Sequence, residues 1–137
     1  MTMPSAETAM GRKKILVVDD EQSILLGMKR YFRSRGYEVD CASEKAEAMA
    51  LLASASYACV IADLCLTEGQ GTDGLDIVAH AGVRQPQTPV VVLTAYGCPA
   101  AEAEAARLGA GAFLSKPQSM ERLAEVVGGL LESEPGD

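Results

Sequence analysis

Apolar residues gather in five short runs along the chain: KKILVV (13–18), YEVDCA (37–42), YACVIA (57–62), PVVVLT (89–94) and GAFLS (111–115). Each is short and close to continuously apolar, the pattern of a parallel strand buried on both faces. Between the runs the spacing changes to that of helices. Ile24, Leu25, Met28 and Phe32 form one stripe, Ala46, Met49, Ala50 and Ala53 a second, and Leu75, Val78 and Ala79 a third. The clearest is Leu123, Val126, Val127, Leu130 and Leu131, at i, i+3, i+4, i+7 and i+8. The reading is strand then helix, five times over.

Punctuation agrees. Gly36 and Gly109 stand where helices should end in a left-handed residue, and Ser43 stands where the second helix should be capped. Parallel strands joined by single helices must cross over right-handed and cover both sheet faces, so the expected fold class is a doubly wound α/β sandwich. Residues 1–11 and 133–137 are polar, small or proline-bearing and are expected to be disordered, which leaves one domain over 12–132.

Bulk composition narrows the partners. The chain has 137 residues, 48% hydrophobic and 23% charged, enough for one domain with a real core. Its net charge of −7 and pI near 4.7 argue against phosphate backbones and anionic lipid as direct partners. No apolar run reaches the roughly 18 residues of a membrane span, and the first residues carry no signal-peptide core, so a cytoplasmic location is expected. Cys41, Cys59, Cys65 and Cys98 show no C-x-x-C spacing and are read as reduced, holding neither zinc nor disulfides.

In an open parallel sheet, ligands collect at the carboxyl ends of the strands. The first strand ends at Asp19 and Asp20, the third at Asp63, the fourth at Thr94, and the fifth runs into Lys116 and Pro117. Two adjacent aspartates at the mouth of a core repel one another and ask for a cation. Three acids suit a hard divalent ion, and Mg²⁺ prefers few carboxylates with waters and phosphate oxygens completing its octahedron. One of the acids is then placed to act as a nucleophile toward phosphorus, with lysine as a point charge and threonine as a hydrogen-bond donor.

The segments ILVVDDE, VIADL, VVVLTA and FLSKP, in this order, resemble the receiver domain of bacterial two-component response regulators, a CheY-like, flavodoxin-like fold with strand order 2-1-3-4-5. The resemblance spans residues 13–132. It implies that Asp63 is the phosphoacceptor, that Asp19 and Asp20 bind Mg²⁺ with Asp63 and the backbone carbonyl of Cys65, and that Lys116 contacts the phosphate. It further implies that Thr94 and Phe113 form the switch, that the Lys116–Pro117 peptide is cis, and that Cys65 and Tyr96 adjust how long the phosphate lasts. The implied partners are a histidine kinase or phosphotransfer protein and a downstream protein target. The target would meet the face made by the fourth helix, fifth strand and fifth helix, through which dimerisation is also left open. The protein would be a signalling module rather than an enzyme, acting alone or as part of a longer regulator.

Each assignment has a plainer rival. Asp19 and Asp20 could be a solvated helix start, Asp63 and Thr94 polar strand ends, Lys116 a surface lysine and Phe113 simple core. A phosphorylation-independent docking module and a small phosphatase using Asp63 are the rival functions, the latter lacking an evident second acid–base group. His80 is read as an isolated surface residue. GQGTDG (69–74) matches G-x-G-x-x-G but neither follows the first strand nor precedes an acid about 20 positions on, so it is a loop and not a dinucleotide site. The stretch Leu66 to Thr72 makes the path from Asp63 to Asp73 longer than in common receivers, with Leu66-Thr67 in place of Met-Pro, and is expected to tune kinase choice or phosphate lifetime.

Overall fold

The computed structural model describes residues 13–63, 73–94, 99–115 and 119–132. Its elements alternate throughout: β1 (Lys14–Val18), α1 (Gln22–Ser34), β2 (Glu38–Ala42), α2 (Lys45–Ser54), β3 (Cys59–Asp63), α3 (Asp73–Arg84), β4 (Val90–Thr94), α4 (Pro99–Arg107), β5 (Ala112–Ser115) and α5 (Met120–Glu132). All five strands are parallel, in the order β2-β1-β3-β4-β5. Every expected strand forms, within two residues of its expected bounds.

The period of two along each strand divides the core into two. Leu16, Val18, Val60, Ala62, Val90 and Val92 point to one face, where Ala48 and Leu52 of α2, Ile77, Val78 and Ala81 of α3, and Ala105 of α4 cover them. Ile15, Val17, Cys59, Ile61, Val91 and Leu93 point to the other, beneath Leu25, Met28 and Phe32 of α1 and Leu123, Ala124 and Val127 of α5. Each Val, Leu, Ile, Met or Phe among them contributes about 1.5–3 kcal/mol by leaving water. Phe32 is fully buried and meets the rings of Tyr31 and Tyr37 edge-on.

Gly36 and Gly109 adopt φ of 99° and 106°, the left-handed region that ends α1 and α4, as their positions predict. Two local expectations fail. Ser43 is not the N-cap of α2; Glu44 is, in extended geometry, and Glu47 reaches back to accept from the Ser43 amide at 2.9 Å. The helix therefore begins one residue late, with its third residue satisfying the amide that precedes the cap. The buried side of α2 is Ala48 and Leu52, whereas Ala46, Ala50 and Ala53 are exposed and Met49 is half-buried. KAEAMALLAS is apolar nearly all round, so its own pattern favours no single face.

At the amino ends of the strands a polar seam closes the sheet. Gln85 donates from Nε2 to the carbonyls of Leu52 and Ala55, while its Oε1 accepts from the Tyr57 amide and the Thr88 hydroxyl. Tyr57, almost fully buried, donates its phenolic hydrogen to Asp40 Oδ2 at 2.8 Å, and Lys14 pairs with the same oxygen at 3.4 Å. Burial, then this hydrogen bond and the Asp40 charge, push the phenol far above its ordinary range.

Candidate functional site

The β1–β3 pairing brings the acids together. Val18 lies opposite Ala62, so the next residues, Asp19 and Asp63, leave the sheet side by side at its carboxyl edge. The Asp19 amide extends the ladder one step by donating to the Ala42 carbonyl at 3.1 Å. The chain then turns: Asp19 Oδ1 accepts from the Glu21 amide at 2.9 Å, and α1 starts at Gln22 with Glu21 as its N-cap. No acid occupies the first turn of α1. Asp19 and Asp20 thus stand just before the cap and not within the first turn.

Burial separates the neighbours. Asp19 and Asp63 are only 1% and 4% exposed, the two buried charged residues among those described, while Asp20 faces solvent. Oxygens of all three lie within 4.8 Å of one another, and this is the one such group of potential metal ligands among the described residues. Two sheltered carboxylates and a wet third present hard oxygen donors with one side open to water. That donor set suits Mg²⁺, which binds through few carboxylates and retains water.

Leu93 pairs with Asp63 in the β3–β4 register, so Thr94 ends β4 one residue beyond it, opposite Ser115 in β5. The fourth and fifth strands therefore deliver Thr94, and the chain leading to Lys116, to the acidic edge. The side chain of Thr94 and the whole of Cys65, Tyr96, Lys116 and Pro117 lie outside the described residues, as does the loop from Leu66 to Thr72. Phe113 sits in β5 in register with Val92, half-buried against the α2–α3–α4 side of the core. It is core-packed, at the position the resemblance assigns to the switch.

The sequence reading passed over one ion pair and read His80 as an isolated surface residue. Lys45 at the start of α2 pairs with Asp76 in α3 at 3.0 Å. His80 is half-buried rather than simply exposed, and its Nε2 is shielded from solvent without a hydrogen-bond partner among the described residues. Cys59 is fully buried and Cys41 half-buried, both as free thiols; burial pushes Cys59 up to about 12 and raises Cys41 as well.

A five-stranded parallel sheet with three clustered carboxylates at its carboxyl edge is an open α/β domain with a ligand site where that class places it. The model of the response regulator receiver domain matches residues 15–128, and the chain belongs to that family. The response regulator PilR of Pseudomonas aeruginosa is 38% identical over 120 residues, covering 86% of this chain and 26% of PilR. A CheY-like receiver domain from Methanospirillum hungatei superposes with a TM-score of 0.83 at 26% identity, covering 90% of this chain and 96% of that one. A Burkholderia pseudomallei response regulator, solved with a phosphorylated aspartic acid, a calcium ion and citrate, gives 0.76 at 28% identity, covering 90% and 73%. The chain spans between about a quarter (26%) and about half (55%) of the length of the curated relatives it matches. It is a receiver domain of two-component signalling, and no helix among the described residues is long and apolar enough to cross a membrane.

Proposed function

We propose that residues 12–132 accept a phosphoryl group on Asp63 from the phosphohistidine of a histidine kinase or phosphotransfer protein in the cytoplasm, and turn it into a change of partner-binding surface. The observation that carries this reading is the meeting of Asp19, Asp20 and Asp63 within 4.8 Å at the carboxyl edge of the sheet. The phosphorylated aspartate and calcium ion of the Burkholderia relative support it.

Asp63 is the nucleophile. Its carboxylate oxygen forms a bond to phosphorus as the bond from phosphorus to the imidazole nitrogen breaks, and the imidazole leaves with a proton. Asp19, Asp20 and Asp63, with the Cys65 carbonyl, would hold Mg²⁺, which when bound neutralises charge on the transferring group. Lys116 pairs with the phosphoryl oxygens of the product, and the Thr94 hydroxyl donates to them. As Thr94 moves inward it frees space for Phe113, and the α4–β5–α5 face shifts toward its partner-binding form. Cys65, Tyr96 and the stretch from Leu66 to Thr72 set access of water and of the kinase. The phosphate serves as a signal and not as a step of substrate turnover.

The test is intact-protein mass after incubation with acetyl phosphate, with and without Mg²⁺, for the native chain and Asp63→Asn. A Mg²⁺-dependent phosphoryl adduct in the native chain alone is the expected result. The reading is overturned if no adduct forms and beryllofluoride also fails to bind.

A further inference from the structure

The α2 stripe that periodicity assigns to the core lies largely outside it. Ala46, Ala50 and Ala53 are exposed and Met49 half-buried, and beside them on α3 stands Val83, 80% exposed. Val83 borders two hollows along the α2–α3 seam. One, of about 390 Å³, is lined by Lys45, Met49, Asp76, Ala79, His80 and Val83. The other, of about 480 Å³, lies between the carboxyl ends of the two helices and includes Ala53, Val83 and Arg84. Val83, a protruding apolar side chain, thus lines both hollows.

The charges on this stripe are ordered. Asp76, Ala79, His80, Val83 and Arg84 fall at i, i+3, i+4, i+7 and i+8 of α3, one face of the helix. A carboxylate ends the stripe on one side and a guanidinium on the other, about 12 Å apart at 1.5 Å per residue. Asp76 keeps 47% of its side chain exposed although its Oδ2 meets Lys45, and Arg84 is exposed with only a 3.4 Å contact to the Ala53 carbonyl. At the centre, His80 holds an Nε2 that finds no partner among the described residues.

We propose that this face binds a second copy of the chain in an antiparallel, two-fold arrangement of the α3 helices. A two-fold contact requires a surface complementary to itself. Here the antiparallel pairing sets Asp76 of each copy against Arg84 of the other, and each Val83 against the other's hollow between Met49 and His80. The net charge of −7 on each copy opposes approach at long range, and salt screens that repulsion and the Asp76–Arg84 attraction alike. This interface lies apart from the α4–β5–α5 face and does not depend on the phosphoryl chemistry.

Sedimentation velocity over a concentration series at physiological and raised salt tests it, using the whole chain with Val83→Asp, Arg84→Glu, Asp76→Lys/Arg84→Glu and, as control, Leu26→Asp. Leu26 is 49% exposed on α1, across the sheet. The native chain should dimerise with concentration, Val83→Asp and Arg84→Glu should each weaken the dimer about tenfold or more, and the double charge exchange should recover most of the Arg84→Glu loss. Leu26→Asp should dimerise as the native chain does. Unchanged urea midpoints show that each variant is folded. A native chain monomeric at every concentration, a dimer indifferent to Val83→Asp, a charge exchange without recovery, or equal weakening by Leu26→Asp would each overturn the proposal.

Discussion

Asp19 and Asp63 stand at neighbouring positions on adjacent parallel strands, one residue past the Val18–Ala62 pair, and each is almost wholly removed from solvent. Like charges held this way in a site of reduced dielectric favour any cation that joins them. Adding Mg²⁺ at a hundred times its dissociation constant should stabilise the native chain by about 2.7 kcal/mol, since binding to the folded state alone adds RT ln(1 + [L]/Kd). Calorimetry at matched ionic strength should show a midpoint raised by several degrees, and Asp63→Asn should lose most of the shift. An equal shift in the variant would remove the acids from the metal site.

Gln85 should matter more to folding than a residue at a helix end usually does. It serves two backbone carbonyls with its NH₂ group and a backbone amide and a hydroxyl with its oxygen, joining the ends of α2 and α3 to the entry of β3. Gln85→Leu keeps much of the volume but strips those backbone groups of their partner, at about 1–3 kcal/mol for each that stays buried and unsatisfied. With some exposure at the site, urea unfolding should report a net loss of about 2–4 kcal/mol. A change well under 1 kcal/mol would mean that water replaces the side chain.

Alkaline pH should destabilise this fold more than an average one. The Cys59 thiol rises to about 12 by burial, from an ordinary value of 9.0. Between these values the unfolded chain has released that proton while the native chain retains it. The folded state then binds more protons, and stability falls with rising pH by up to about 1.4 kcal/mol per unit. Tyr57, shifted in the same direction, adds to the slope above about pH 10. Urea midpoints from pH 8 to 11 should decline less steeply in Cys59→Ala, and Tyr57→Phe should flatten the upper part of the curve. Identical slopes in all three proteins would contradict the burial of these groups.

The glycines divide by backbone geometry. Gly128 and Gly129 lie inside α5, and a Cβ placed on either meets nothing within 4 Å. Ala at each should stabilise by about 0.5–1 kcal/mol through helix propensity. Gly36 and Gly109 also have room, but their φ of 99° and 106° makes Ala strained, so those substitutions should destabilise by about 1 kcal/mol or more. Thermal melts of the four single variants should split by sign; four shifts of one sign would refute the division.

Much of this molecule was legible in the chain itself. The five strands were, because a run such as CVIAD that is buried on both faces must be apolar throughout and leaves its final carboxylate conspicuous. The stripe of α5 and the glycines that end α1 and α4 followed from helical period and steric freedom. The order of acids, threonine and lysine at successive strand ends identified the family. Tertiary structure decided what local sequence leaves degenerate. The α2 helix is apolar on nearly every side, so its buried face depends on which strands lie beneath it and not on its own period. Asp19 and Asp20 are the same residue in adjacent places, yet the strand ladder and the turn at Glu21 bury one and leave the other in water. Above all, β1 and β3 are separated in sequence by β2; only sheet pairing sets Val18 beside Ala62 and thereby gathers three mutually repelling carboxylates into one site.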